Sequence, residues 1–341
     1  MLILVLMTWV SEGLQVHAVP QNVYKIRDAK GQSESWFFNL VIVDKEGCSE
    51  LEARELVVEI WGASGLRETT TWPAAVLEEM RRVSYRPTAE TDELSPKHLM
   101  KHEECFDMRL SFPNKPRTWN ADQLVIKLVC ASGNREPITH QMRVPLKVFE
   151  QKTQLILPLK KPGIITQGPI NNGGHSGHAN QFSIDFMGLN ASYGPVNDGQ
   201  EGLSYFAGWG QEIVAPGSGI VVYVRKDVPD CPPESNPMEI YGALSDPIRA
   251  RAGNCVVINH ENGEYSALMH LQKGSVSIAE GARVERGQVI GKMGSSGDAF
   301  GVHLHYQLQD GPDFFRANPL PIKFENLDGV ELVRGVYVTP Q

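Results

Sequence analysis

Gly297-Asp298-Ala299-Phe300-Gly301-Val302-His303-Leu304-His305-Tyr306-Gln307 is the stretch that decides how this chain reads. Two histidines spaced i, i+2 among Val, Leu and Tyr belong on a β-strand. There both imidazoles point one way and Leu304 points the other. Two imidazoles on one sheet face can place one nitrogen on a metal and leave a second free beside it, which suits a hydrolytic zinc site. The remaining ligands must come from elsewhere in the chain.

Upstream, the glycine-dense run Gly281 to Gly297 supplies turn and close-approach positions that deliver this strand to a sheet. Before it stands a hairpin, Cys255–His260 and Tyr265–His270 around Glu261-Asn262-Gly263-Glu264. Asn-Gly predicts a two-residue turn, with His260 opposite Tyr265 and Cys255 opposite His270. Alternation then puts His260 and His270 on opposite faces, with His270 looking into a site and His260 at the surface. Ile213 to Tyr223, with its turn at Pro216-Gly217, is architectural. Further upstream, Gly177-His178-Ala179-Asn180-Gln181-Phe182-Ser183-Ile184-Asp185-Phe186 is a loop feeding an alternating strand. Asp185 sits between Ile184 and Phe186, and a buried carboxylate there needs a partner: a metal, a backbone cap or an arginine.

Taken together, residues from about His178 to Phe324 resemble the lysostaphin/LytM-type zinc metallopeptidases, secreted enzymes that cleave peptidoglycan. The resemblance is carried by the His…Asp element, Ala267-Leu268-Met269-His270-Leu271, Gly287-Gln288-Val289-Ile290-Gly291 and Gly301-Val302-His303-Leu304-His305-Tyr306. It implies the duplicated hybrid motif fold. It implies zinc held by His178, Asp185 and His305, with His270 and His303 unligated beside the metal as catalytic, proton-handling groups. Six residues separate His178 from Asp185, and His175, three residues upstream of His178, is the alternative ligand. Two imidazoles and a carboxylate leave an open zinc position for water, whose pKa would fall to roughly 7. The implied partners are peptidoglycan stem or cross-bridge peptides.

Other readings fit less of the sequence. A biotinyl or lipoyl carrier would use Lys292, but Gly291 stands where Met is expected and a carrier has no use for His303 and His305. A phosphocarrier has no use for Asp185 as a ligand. A cupin would want Glu and a later Gly where this chain has Asp310 and Ala317, and it leaves His270 and Asp185 unexplained. The functional rival is a catalytically silent family member that binds peptidoglycan or regulates another hydrolase; such proteins lose ligands, and here every position is occupied.

The whole chain is 341 residues, enough for two domains. Residues 19–160 read as an accessory β-sandwich, antiparallel and immunoglobulin-like. Trp36–Val43, Glu55–Trp61, Met108–Phe112, Gln123–Val129 and Gln141–Leu146 are its strands, with helical turns near Pro73–Met80. His98, His102 and His140 read there as solvated. A Gly/Pro/Asn-rich stretch opening at Lys160-Lys161-Pro162-Gly163 marks the boundary. An all-β metallopeptidase domain over 163–325, holding six of the ten histidines, and a tail over 326–341 complete the chain. A net charge of −8 without a basic run argues against nucleic acid. The apolar Met1–Val10 is about half the length a membrane helix needs, and it predicts a signal peptide over 1–18 with secreted or periplasmic localisation. Five cysteines, none in C-x-x-C, are compatible with export, with Cys231 and Cys255 as the expected pair.

Overall fold

The computed structural model describes residues 14–44, 51–80, 82–85, 104–132, 136–169, 175 and 180–340. These form two compact units divided between Phe149 and Glu150. The protein is mostly β, and its sheets are antiparallel apart from one parallel strand pair in the first unit.

The first unit contains β1 (Leu14–Val19), β2 (Val23–Arg27), β3 (Ser33–Asp44), β4 (Leu51–Gly62), β5 (Gly65–Pro73), β6 (Arg82–Tyr85), β7 (Glu104–Pro116), β8 (Ala121–Ser132) and β9 (Ile138–Val148). One helix, α1 (Ala74–Met80), stands where helical turns were expected. The strands run in the order β5-β4-β8-β9-β2-β3-β7-β6, with β1 beside β3, and the parallel β2–β9 pair joins the two halves. The cause is a period of two. Trp36, Phe38, Leu40 and Ile42 of β3 share one core with Leu56, Val58 and Ile60 of β4 and Leu124, Ile126 and Leu128 of β8. Each such burial contributes about 1.5–3 kcal/mol, and a one-residue slip would turn the whole set to solvent. His140 belongs to this structure rather than to the surface: it is buried on β9, opposite Leu128, and burial lowers its pKa. His98 and His102 lie outside the described residues. So do residues 1–13, while Leu14–Val19 is paired with β3 from Leu14↔Asp44 to Val19↔Asn39. Cleavage after Ala18 would remove most of that strand.

The second unit contains β10 (Gly163–Gln167), β11 (Ile184–Gly188), β12 (Glu212–Val214), β13 (Gly219–Arg225), β14 (Asn254–Asn259), β15 (Tyr265–Leu271), β16 (Arg283–Val284), β17 (Val289–Lys292), β18 (Leu304–Gln309), β19 (Pro319–Leu320) and β20 (Tyr337–Val338). Its large sheet has the order β16-β13-β14-β15-β18-β11-β10-β20, with β19 beside β18, and β12 pairs with β17. Residues before β10 are tied in as well, through the Leu155–Phe324 and Leu159–Ile213 bridges. The segment expected as a tail supplies β20. On one face of the central strands lie Ile184, Phe186, Leu304, Tyr306 and Leu268, all fully buried. Tyr306 and Phe186 both pack against Phe324. The opposite face carries Asp185 and His305. No helix among the described residues is long and apolar enough to cross a membrane.

Two local expectations are corrected. The β14–β15 hairpin is not closed by two residues: Asn259 pairs with Tyr265, and the His260 N–H donates to the Glu264 carbonyl at 3.0 Å. Side chains hold this wider loop, because Asn259 and Asn262 accept from the Glu261 and Glu264 N–H groups. Glu264 is itself buried, accepting from the N–H groups of Lys152 and Thr153. His260 therefore turns inward, with Nε2 2.7 Å from Ser266 Oγ, and is no surface residue. The second correction concerns cysteine. Cys231 and Cys255 are free thiols: Cys231 Sγ lies 3.3 Å from the Gly297 carbonyl, while Cys255 packs among Val257, Ala267, Met269 and Phe314.

Candidate metal centre

The site is assembled where β11, β18 and the end of β15 meet. Asp185 of β11 and His305 of β18 are directly paired across the ladder, so both side chains leave the same face. Asp185 Oδ1 is 2.9 Å from His305 Nδ1, and its Oδ2 is 3.1 Å from His175 Nε2. The His175 and His305 rings meet edge to face at 4.8 Å. One ligand atom from each of His175, Asp185 and His305 lies within 4.8 Å of the others, and this trio could hold a metal ion. His178 lies outside the described residues, so the described histidine that meets Asp185 and His305 is His175.

The other two histidines close the ring. His303 Nε2 lies 3.9 Å from Asp185 Oδ2. The His270 ring is 4.7 Å from that of His303 and 5.9 Å from that of His305. His303 is placed by alternation, two residues before His305. His270 is not. Asn254 pairs with Leu271 and Val256 with Leu268, so β15 carries an extra residue there and Cys255 does not face His270. His270 takes up this bulge at φ 60°, in the left-handed region, which re-aims its ring. Its N–H donates to the Ala252 carbonyl at 3.0 Å, which holds the distortion in place.

Hydrogen bonds fix which nitrogens are available. A carbonyl only accepts, so His270 Nδ1–H donates to Ser296 O at 2.8 Å and His303 Nδ1–H to Gly301 O at 3.1 Å. In the neutral form of either ring the bare nitrogen is therefore Nε2. Burial, then the neighbouring His303 and His305, hold His270 well below the usual imidazole pKa. Burial likewise lowers His175. Burial alone would raise Asp185, but His303, His175 and His305 together hold it well below the carboxylate range. A buried anion ringed by three imidazoles is what a cation site requires.

The donor set fits zinc in ligand type, with two imidazole nitrogens and one carboxylate. The partners behind the ligands fit as well. His305 Nε2 lies 3.2 Å from Gln307 Oε1, so an Nε2–H there leaves Nδ1 free for a metal. Behind His175, Asn180 Nδ2 sits 3.2 Å from Nδ1, while Asn180 Oδ1 is buried with no hydrogen-bond partner among the described residues. Turning that amide over gives Oδ1 the His175 Nδ1–H and frees Nε2 for a metal. Asn180 and Gln307 were missed in the sequence. Gln307 carried a signal, since it shares the alternating face of His303 and His305.

The fold and site define a mostly β unit, with two short helices at Pro237–Tyr241 and Pro247–Ala250, that carries a His/Asp/His cluster and two further histidines beside it. Residues 198–316 match the family model of Peptidase family M23, a segment that includes His270, His303 and His305 but begins after His175 and Asp185. The resemblance to the lysostaphin/LytM-type peptidases read from the sequence is thereby borne out. Peptidoglycan DD-endopeptidase ShyA of Vibrio cholerae is 46% identical over 57 residues, which is 17% of this chain and 13% of that protein. DD-carboxypeptidase/endopeptidase Mpg of Neisseria meningitidis is 47% identical over 57 residues, again 17% and 13%. The match thus spans only about an eighth of the length of these relatives. Among solved structures, the catalytic domain of lysostaphin from Staphylococcus simulans is 20% identical, with 47% of this chain and 87% of that chain covered at a TM-score of 0.27. A zinc-containing peptidase from Vibrio cholerae is 14% identical, with 92% and 87% covered at a TM-score of 0.31.

Proposed function

We propose that the second unit is a zinc metalloendopeptidase that hydrolyses peptide bonds of peptidoglycan, acting in the cell envelope after export. One observation carries this reading: a buried carboxylate stands between two imidazoles able to join it as ligands, beside two more whose Nδ1 is tied to a backbone carbonyl. The peptidase-family match over 198–316 and the peptidoglycan-directed relatives support the reaction and the substrate. The apolar Met1–Val10 supports export.

In this reading His175, Asp185 and His305 hold the zinc. When bound, zinc supplies Lewis acidity to the attacking water and the scissile carbonyl. The rest is the work of this chain's side chains. The bare Nε2 of His270 or His303 takes the water's proton and returns it to the leaving amine. The other, protonated, donates to the oxyanion that forms at the scissile carbonyl. The Ser296 and Gly301 carbonyls keep both rings in the required tautomer. The first unit is proposed to be an immunoglobulin-like accessory domain that positions substrate or a partner.

Metal analysis of the purified protein beside His305→Ala, His175→Ala and His178→Ala tests the site. Stoichiometric zinc in the wild type, lost in His305→Ala and His175→Ala but kept in His178→Ala, is expected; no zinc in the wild type sinks the reading. A muropeptide digest followed by mass spectrometry then tests the reaction. Zinc without new peptide termini would identify the silent binding member instead.

A further inference from the structure

The face of β18 that carries His305 continues in amides. His305, Gln307 and Gln309 alternate along the strand, all buried, and the side chain of Ser183, also buried, reaches Gln307. Burying a row of polar side chains is costly unless each is satisfied, so the pattern of partners is informative. Gln309 Nε2 donates to the Gly311 carbonyl at 2.7 Å. Gln307 Nε2 donates to Gln309 Oε1. Gln307 Oε1 is left facing His305 Nε2 and Ser183 Oγ, each at 3.2 Å.

This row has a direction. The Gly311 carbonyl can only accept, which forces the Gln309 amide to present its NH₂ there and its oxygen to Gln307. Gln307 must then turn its own NH₂ to Gln309 and its oxygen to His305. An oxygen at that position calls for a proton on His305 Nε2, and a neutral ring protonated at Nε2 has its lone pair on Nδ1, the atom aimed at Asp185. We propose that Gln307 and Gln309 form a one-way amide relay from the Gly311 carbonyl that sets the tautomer of His305, with Gln307 as a positioning residue for the zinc ligand. The inference rests on the metal-site reading above and deepens it. A water in place of Gln307 would serve either tautomer; the relay serves one.

The test is zinc affinity, measured by competition with a chelating dye, together with the His305 Nε2–H resonance of the zinc-loaded protein. Gln307→Met keeps the volume and removes the acceptor, and is expected to weaken zinc binding by about 10–100-fold and to lose solvent protection of the Nε2–H. Gln307→Glu keeps an acceptor toward His305 but sets a second oxygen against Gln309 Oε1, so its expected signature is a protected His305 Nε2–H in the zinc-loaded protein rather than wild-type affinity. Gln309→Met leaves Gln307 free to turn over and should lose part of the affinity. A wild type that binds zinc and a Gln307→Met protein that binds it equally well overturn the relay alone. A wild type with no zinc overturns the metal site and the relay with it. Should Gln307→Met fail to fold, an unprotected Nε2–H in zinc-loaded Gln307→Glu overturns the proposal and a protected one supports it.

Discussion

Gly294 is one residue that ties His270 and His303 together, and adding a single methyl group there separates their proposed role from that of the proposed ligands. Its N–H donates to the His270 carbonyl at 3.1 Å, and its own carbonyl accepts from the His303 N–H at 3.3 Å. A Cβ at this position would lie 2.3 Å from Gln272 N, 2.4 Å from Gln272 Cα and 2.7 Å from Leu271 C. Ordinary contacts between carbons begin at about 3.5 Å, so Gly294→Ala must displace one backbone segment from the other by about 1 Å. Backbone atoms cannot rotate aside as a flexible side chain would. Overpacking of this kind costs about 1–3 kcal/mol. Near the middle of that range, and for a unit of this size, melting falls by roughly 4–8 °C. A 1 Å misplacement of reacting groups costs about 100-fold in rate. Neither His175, Asp185 nor His305 is bonded to Gly294, so zinc content should hold. Calorimetry, metal analysis and a muropeptide-release assay on the same preparation read the three quantities. Wild-type melting and wild-type rate would refute the packing argument. Loss of zinc in step with activity would show that Gly294 acts through the ligand set instead.

Three further outcomes follow from the geometry. Burial lowers the pKa of His260, so the unfolded chain takes up its proton more readily than the fold does. Its share of stability is complete above the usual value of 6.5 and is lost as pH falls below it; His260→Gln in the zinc-loaded protein should flatten that slope in a denaturant titration, and an unchanged slope would refute the assignment. Tyr306→Phe removes one partner of Ser266 Oγ, 2.9 Å away, while His260 Nε2 still bonds that oxygen. A loss of about 1 kcal/mol is expected on urea unfolding, and one above roughly 3 kcal/mol would mean that the three groups act cooperatively. Burial pushes the Cys231 thiol up to about 11 and the Cys255 thiol up to about 12, so native protein at neutral pH should resist alkylation at both until it is unfolded. A peptide map linking the two cysteines by a disulfide would contradict the structure.

Which parts of this molecule were legible in the sequence depends on how local their causes are. The strands of the first unit are periodic over their own length, so Trp36–Val43 and Gln123–Val129 declare their buried faces without reference to their partners. His303 and His305 are legible for the same reason. Asp185 is legible because a carboxylate between Ile184 and Phe186 is anomalous on an apolar strand. His270 is different: alternation from an assumed two-residue turn placed it in the site with Cys255 as its partner. In the structure it arrives there through a bulge that skips Cys255. That bulge is held by an N–H to the Ala252 carbonyl, a contact that no window around His270 could reveal. His260 shows the converse. Asn262-Gly263 does carry a turn signal, but the buried Glu264 accepts from Lys152 and Thr153, far away in sequence, and the loop widens around it.

Gln307 adds a third case, since its signal was local and was passed over. It stands two residues beyond His305, on the face that alternation assigns to the site, and a buried amide there needs a partner as surely as Asp185 does. A metal ligand is not finished when its coordinating nitrogen has been identified. Its other nitrogen must be told which tautomer to keep, and on a β-strand the residue placed to tell it is the one at i+2. For His305, in the proposed site, that residue is Gln307. For His270 and His303, proposed to exchange protons at Nε2, the same task falls to the Ser296 and Gly301 carbonyls, which hold Nδ1 in the loop that leads into β18. The glycine-dense run before that strand thus sets the chemistry of two rings as well as the path of the chain.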